Sequence, residues 1–214
     1  MNKKTDKRTR LIEAADTLFH KQGVHITTLA NIATLAEVPL GNVYYYFKSK
    51  DSILLAVLEQ RGRQLRDQQV QWSTLGPSAA LKALVESYSQ ETAHTAAFGH
   101  WLGALCQELC KQALPASLAA DAANQVQADN AAYATQTSHA HTAMIQAATE
   151  LFKEPLLWAE TQFRALGQSE QASRLAQELF ARLEGICLLT LVFKDETMAK
   201  AQYQTLTQWV QSLQ

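Results

Sequence analysis

The stretch that most constrains this chain runs from Thr27 to Lys50, TTLANIATLAEVPLGNVYYYFKSK. Its pattern predicts a short helix, a tight break, a second short helix and the capped start of a third, which is the plan of a helix-turn-helix. The second short helix, near Leu40 to Tyr46, brings Asn42, Tyr44, Tyr45 and Tyr46 into one small space. Three successive tyrosines are too polar for a buried core helix and too aromatic for an ordinary solvated face. They suit a surface that meets phosphates and base edges.

Charge supports that reading. The chain of 214 residues carries a net charge of -1, but residues 1–63 hold 10 Lys and Arg against 6 Asp and Glu, whereas residues 64–214 hold 9 against 14. A basic module on an acidic body predicts a polyanionic partner for the first module only. With 8 Gly and 4 Pro among abundant Ala, Leu and Gln, the expected fold class is all-α. No apolar core of a secretory signal follows the charged start, and the longest near-apolar run, Ile186 to Phe193, is too short to cross a bilayer. Three cysteines give no disulfide framework. The expectation is a soluble cytoplasmic protein.

Around the central stretch, Thr5 can cap a first helix running to about Gln22, with Leu11, Ala14, Ala15, Leu18 and Phe19 on one buried face and Gly23 as its stop. Thr27 is expected to cap the second helix, Pro39 to open the third, and Ser49 to cap a fourth whose stripe is Ile53, Leu54, Val57 and Leu58. Val43 and Phe47 are expected to face the core.

Residues 8–58 resemble the DNA-binding domain of the TetR family of bacterial transcriptional regulators. The resemblance rests on Gly23, Thr27-Thr28, Gly41-Asn42-Val43-Tyr44-Tyr45-Tyr46-Phe47 and Lys48-Ser49-Lys50-Asp51. It implies a three-helix DNA-binding domain over residues 1–52 with the start of a linking helix, and a helical effector-binding and dimerisation domain over 53–214. The function it implies is a repressor, bound as a homodimer to a pseudo-palindromic operator in double-stranded DNA and released by a small-molecule effector. No enzyme motif and no cofactor is expected. Thr27, Thr28, Leu40, Gly41, Asn42, Tyr44, Tyr45, Tyr46 and Lys50 are the candidate DNA contacts. Three positions depart from the family pattern: Glu37 stands at a turn that usually carries Gly, Pro39 replaces a Ser cap, and Leu40 replaces a frequent Lys or Arg. A left-handed backbone at Glu37 would cost about 1–2 kcal/mol.

The body reads less sharply. Helices are expected from about Ser78 to His94, from Phe98 to Leu109, and from Leu151 to Gly167. Residues 116–148, Ala-rich with few large apolar groups, read as a long irregular segment. Trp72, Tyr88, Phe98, Trp101, Leu105, Trp158 and Phe163 are candidates for an effector pocket, with plain core packing as the competing account. Cys106 and Cys110, one helical turn apart, leave three readings open: a thiol sensor of oxidants or electrophiles, a soft-metal site, or buried cysteines. His139 and His141, two apart, do not share a helix face, so no metal site is expected there. Heptad-like seams, Leu179, Leu183 and Ile186 in one terminal helix and Tyr203, Leu206 and Val210 in the next, fit either internal packing or a dimer interface. The family resemblance favours the dimer. A constitutive architectural DNA binder is the remaining alternative.

Overall fold

The computed structural model describes residues 6–112 and 131–213, with side chains described outside 110–141. Every regular element among the described residues is an α-helix. The chain divides into two compact units, Met1–Glu59 with Ala104–Thr149, and Gln60–Gly103 with Glu150–Gln214. The boundary expected at residue 52 thus does not coincide with this division, which adds a later segment to the N-terminal helices.

In the first unit, α1 (Lys7–Gln22), α2 (Leu29–Leu35), α3 (Leu40–Tyr46) and the start of α4 (Lys50–Ser73) make a small bundle. Leu11, Ile12, Ala15, Phe19, Ile32, Val43, Phe47, Ile53 and Leu54 form its interior. The expected Thr5 cap lies outside the described residues; Asp6 precedes α1 without a side-chain cap. The second helix is capped by Thr28, not Thr27: Asn31 N–H donates to the Thr28 hydroxyl at 3.1 Å and Thr28 N–H to Asn31 Oδ1 at 3.0 Å. Pro39 sits one place earlier than expected, as the residue before α3. Ser49 caps α4 as anticipated, accepting from Ser52 N–H at 3.2 Å.

The second unit is built from the remainder of α4, then α5 (Pro77–Gln90), α6 (Thr92–Phe98), the later part of α8 (Ala131–Ala165), α9 (Ala172–Phe193) and α10 (Glu196–Gln211). α7 (Trp101–Gln112) starts in this unit and ends in the first. α9 packs on α6 and α10, and α10 on α5. Leu81, Leu84, Phe163, Leu175, Leu179, Phe180, Leu183, Tyr203, Leu206 and Val210 are the core. Asp195 Oδ1 caps α10 by accepting from Met198 N–H at 2.9 Å.

Two expectations change here. The helix read as Ser78 to His94 is two helices, and Phe98 ends α6 instead of opening the next element. The segment read as irregular is helical from Ala131 onward, because Ala propensity suffices when tertiary packing supports one face at Met144, Ala148 and Leu151. Residues 113–130 lie outside the description. Among the described residues no helix is long and apolar enough to cross a membrane.

Candidate nucleic-acid interface

α3 is a seven-residue helix anchored from below. Val43 is fully buried and Phe47, just past its end, nearly so. That anchoring turns the rest of the helix outward. Tyr45 is 80% exposed, Tyr44 49%, and Leu40, Gly41 and Asn42 are exposed as well. Tyr46 is half-buried, its ring edge-on to Tyr45 with centroids 5.0 Å apart. Lys48 closes the helix by donating to the Tyr44 carbonyl at 2.9 Å. Leaving two tyrosines and a leucine partly in water forgoes apolar burial, which at about 25 cal/mol per Å² is a cost to the isolated fold. Such a surface is consistent with one that is covered at some stage of its work.

The turn into α3 shows why the Glu37 departure is tolerated. Glu37 has φ 51, a left-handed backbone that glycine adopts without strain. Arg10 of α1 braces it, donating to the Ala36 carbonyl, to the Glu37 carbonyl at 3.0 Å and to the Glu37 carboxylate at 3.3 Å.

Two candidate contacts are engaged within the head itself. Thr27 is 1% exposed; its hydroxyl donates to the Gly23 carbonyl at 2.7 Å and accepts from Gln22 Nε2 at 3.2 Å. It shapes the turn from the inside. The Lys50 ammonium, half-buried, donates to the Val24 carbonyl at 2.6 Å and to that of His25 at 3.3 Å. Thr28 stays on the surface, though its hydroxyl is engaged in the cap.

The expected effector residues fall in both units, Leu105 in the first and the others in the second. In the second unit, Trp72 and Trp158 pair at 5.7 Å, with Trp158 Nε1 donating to Ser73 Oγ at 3.0 Å. Phe163 is fully buried core, edge-on to Trp209. Arg61 stacks over Trp101 at 4.8 Å. Phe98 meets His94 at 5.0 Å. Leu105 is buried in the first unit. A surface recess of about 580 Å³ is lined by Leu75, Pro77, Lys82 and Leu166, none of them among the expected residues.

Tyr88 belongs to a polar cluster that the sequence reading missed. Its hydroxyl donates to Glu184 Oε1 at 3.4 Å, its ring lies 4.6 Å from that of His100, and His100 Nδ1 lies 2.8 Å from Glu184 Oε1 without an aligned hydrogen bond. A side chain on Gly103 would come within 2.5 Å of Glu184 Oε2, so glycine makes room for the carboxylate. One turn along α9, Cys187 Sγ is 3.5 Å from the Tyr203 hydroxyl. Burial, and next the charge of Glu184, raises the Tyr88 phenol well above its ordinary value. Burial pushes the Cys187 thiol up to about 12, which disfavours the thiolate. An acid in an otherwise apolar stretch, Leu183-Glu184-Gly185-Ile186, was the one signal in the sequence.

Cys106 is half-buried, with its sulfur 3.7 Å from the Ala148 carbonyl. The side chains of Cys110, His139 and His141 lie outside the described residues. Among the described residues no cluster of three or more metal-ligating side chains occurs.

The seam residues are a correction. Leu179, Leu183, Ile186, Tyr203, Leu206 and Val210 are all buried within the single chain, where α9 and α10 pack on each other and on α5 and α6. They are engaged in packing inside the single chain. The apolar surface left on α9 is its other edge, Leu188, Leu189, Val192 and Phe193, all exposed.

Residues 11–57 match the family model described as bacterial regulatory proteins, tetR family. The chain is 46% identical over 52 residues to the HTH-type transcriptional regulator TtgR of Pseudomonas putida, a match spanning 24% of this chain and 25% of that protein. It is 35% identical over 103 residues to the HTH-type transcriptional regulator BetI of Cronobacter sakazakii, spanning 45% and 50%. The matches therefore cover from a quarter to half of these relatives' own length. A TetR transcriptional regulator from Legionella pneumophila has the same fold at TM-score 0.74 and 18% identity, over 97% of this chain and 98% of that one.

Proposed function

We propose that this chain, whose N-terminal domain belongs to the TetR family of bacterial regulatory proteins, is a DNA-binding transcriptional repressor that acts as a homodimer and is released by a small-molecule effector. The observation that carries the DNA reading is the outward edge of α3, Leu40 to Tyr45, exposed on a helix locked from below by Val43. A helix so presented fits the major groove, with its N-terminal residues toward base edges. In this reading Asn42 addresses a base edge, Tyr44 and Tyr45 meet phosphates or a thymine methyl, and Gly41 allows close approach. Thr28 lies at the rim. Thr27 and Lys50 position the turn instead.

The functional division remains a reading head, residues 1–52, and a body, residues 53–214, that holds the effector and the dimer contact. The Tyr88–His100–Glu184 cluster supports the effector half: a carboxylate and two polar rings within an apolar helical body are the few placed polar groups by which a ligand is oriented. The Leu188–Phe193 edge is the surface proposed for the two-fold contact. We read the protein as a regulator and not an enzyme because the proteins it resembles are named as transcriptional regulators.

The test is binding of a labelled duplex from the region upstream of the chain's own coding sequence. Affinity should fall steeply with salt, because phosphate contacts release counterions. Tyr44→Ala and Tyr45→Ala should each weaken binding by about tenfold, within the range of a lost base or phosphate contact, while leaving the melting temperature nearly unchanged. Normal binding by both variants would remove α3 as the reading helix.

A further inference from the structure

The turn between α1 and α2, Gly23-Val24-His25, has every backbone polar group occupied, and half of the partners come from far along the chain. Gly23 N–H donates to the Phe19 carbonyl at 3.0 Å, and the Gly23 carbonyl accepts from Thr27. The carbonyls of Val24 and His25 accept from Lys50. The two remaining N–H groups both go to one carboxylate on α7: Val24 N–H to Glu108 Oε2 at 3.0 Å and His25 N–H to Glu108 Oε1 at 2.6 Å. Gly23 makes this approach possible, since a Cβ there would come to 3.2 Å of Glu108 Oε2, and its φ of 87 is one that other residues resist.

We infer that Glu108 is a positioning residue for the DNA-reading head, although it lies outside the matched residues 11–57. The inference rests on the DNA-binding reading above. Hydrogen bonds to a charged acceptor are the strong kind, and leaving two amides without a partner is costly. The turn sets where α2 starts, three residues later at the Thr28 cap, and α3 packs on α2. Lys50 and Glu108 grip opposite polar edges of the same two residues, so loss of either grip lets the start of α2 drift. Groups that must meet phosphates and bases together are then out of register.

The sign of the effect separates this role from simple electrostatics. Removing a negative charge should by itself strengthen attraction to a polyanion. Loss of positioning should weaken specific binding. The experiment compares wild type, E108A and E108Q by anisotropy with the labelled upstream duplex, by circular dichroism melting, and by amide hydrogen exchange at Val24 and His25. E108A should bind about tenfold more weakly, with helix content kept and both amides exchanging faster. E108Q, which keeps one acceptor oxygen, should fall between; if E108A does not fold, E108Q alone carries the comparison. Equal or tighter binding by the variants, or slow exchange retained at both amides, would overturn the inference. Failure of the wild type to bind sinks the DNA reading as well, whereas wild-type binding with an indifferent variant sinks only the role of Glu108.

Discussion

α3 and the α9–α10 pair present the same kind of sequence signal and opposite outcomes. Both offer bulky apolar or aromatic groups at helical spacing, and both look like surfaces awaiting a partner. In α3 the spacing is spent quickly: Val43 and Phe47 take the core side, and in so short a helix Leu40, Tyr44 and Tyr45 have nowhere to go but out. In α9 and α10, at 22 and 16 residues, the seams find α5, α6 and each other, and vanish into the interior. Periodicity says which face is apolar. It does not say which molecule covers it.

The largest expected effect tests the buried side of that contrast. Leu183 is wholly buried in the α9 seam, so Leu183→Ala should destabilise the fold by about 2–5 kcal/mol, through lost transfer energy and the cavity left behind. A seam that served only a dimer contact would show instead a monomer of undiminished stability. Thermal melts at protein concentrations low enough to dissociate a dimer decide this, since a lost dimer contact no longer counts there whereas a lost core contact still does. The same melt on Tyr45→Ala should show almost no change, which sets the two regions apart in a single assay.

The second test concerns the edge of α9 that the seam leaves behind. Phe193 is 63% exposed and shares its side of the helix with Leu188, Leu189 and Val192. A charge at this position costs the single chain little, because the site is already in water. Phe193→Glu should therefore shift a dimer to monomer in light scattering, with monomer stability altered by no more than about 0.5 kcal/mol. A dimer that survives this change and the companion Val192→Glu would place the two-fold contact elsewhere.

What was legible in the sequence was local. Gly23, Ser49 and Gly167 mark ends that the structure places within a residue or two. Caps and breakers act through bonds to the next few residues, so they can be read without knowing the fold. The break between α5 and α6 carries no Gly or Pro, only Glu91, and it passed unseen. The start of α8 lacks large apolar side chains and showed no period to read. The site residues divide the same way. Tyr44, Tyr45 and Asn42 are conspicuous within their own helix. The engagement of Lys50 with Val24, of Glu108 with the same turn, and of Glu184 with Tyr88 and His100 are made across 26 to 96 residues of chain. No local pattern announces them.

Glu37 is where the local and the long-range meet, and the effect expected there is the smallest. Its left-handed φ of 51 costs about 1–2 kcal/mol in a residue with a Cβ. Glycine removes that cost but loses about 0.5–1 kcal/mol more conformational entropy on folding. The Arg10–Glu37 ion pair at 3.3 Å would also go, yet the carboxylate is largely exposed and such pairs contribute little. The two bonds from Arg10 to main-chain carbonyls would stay, since they need no side chain at position 37. The strain term is the largest of these, so Glu37→Gly should raise stability by up to about 1 kcal/mol, a few degrees in the melt. A fall in the melting temperature would show that Arg10 holds this turn through the Glu37 carboxylate, and that the approach to α3 depends on a contact the glycine of related domains does not need.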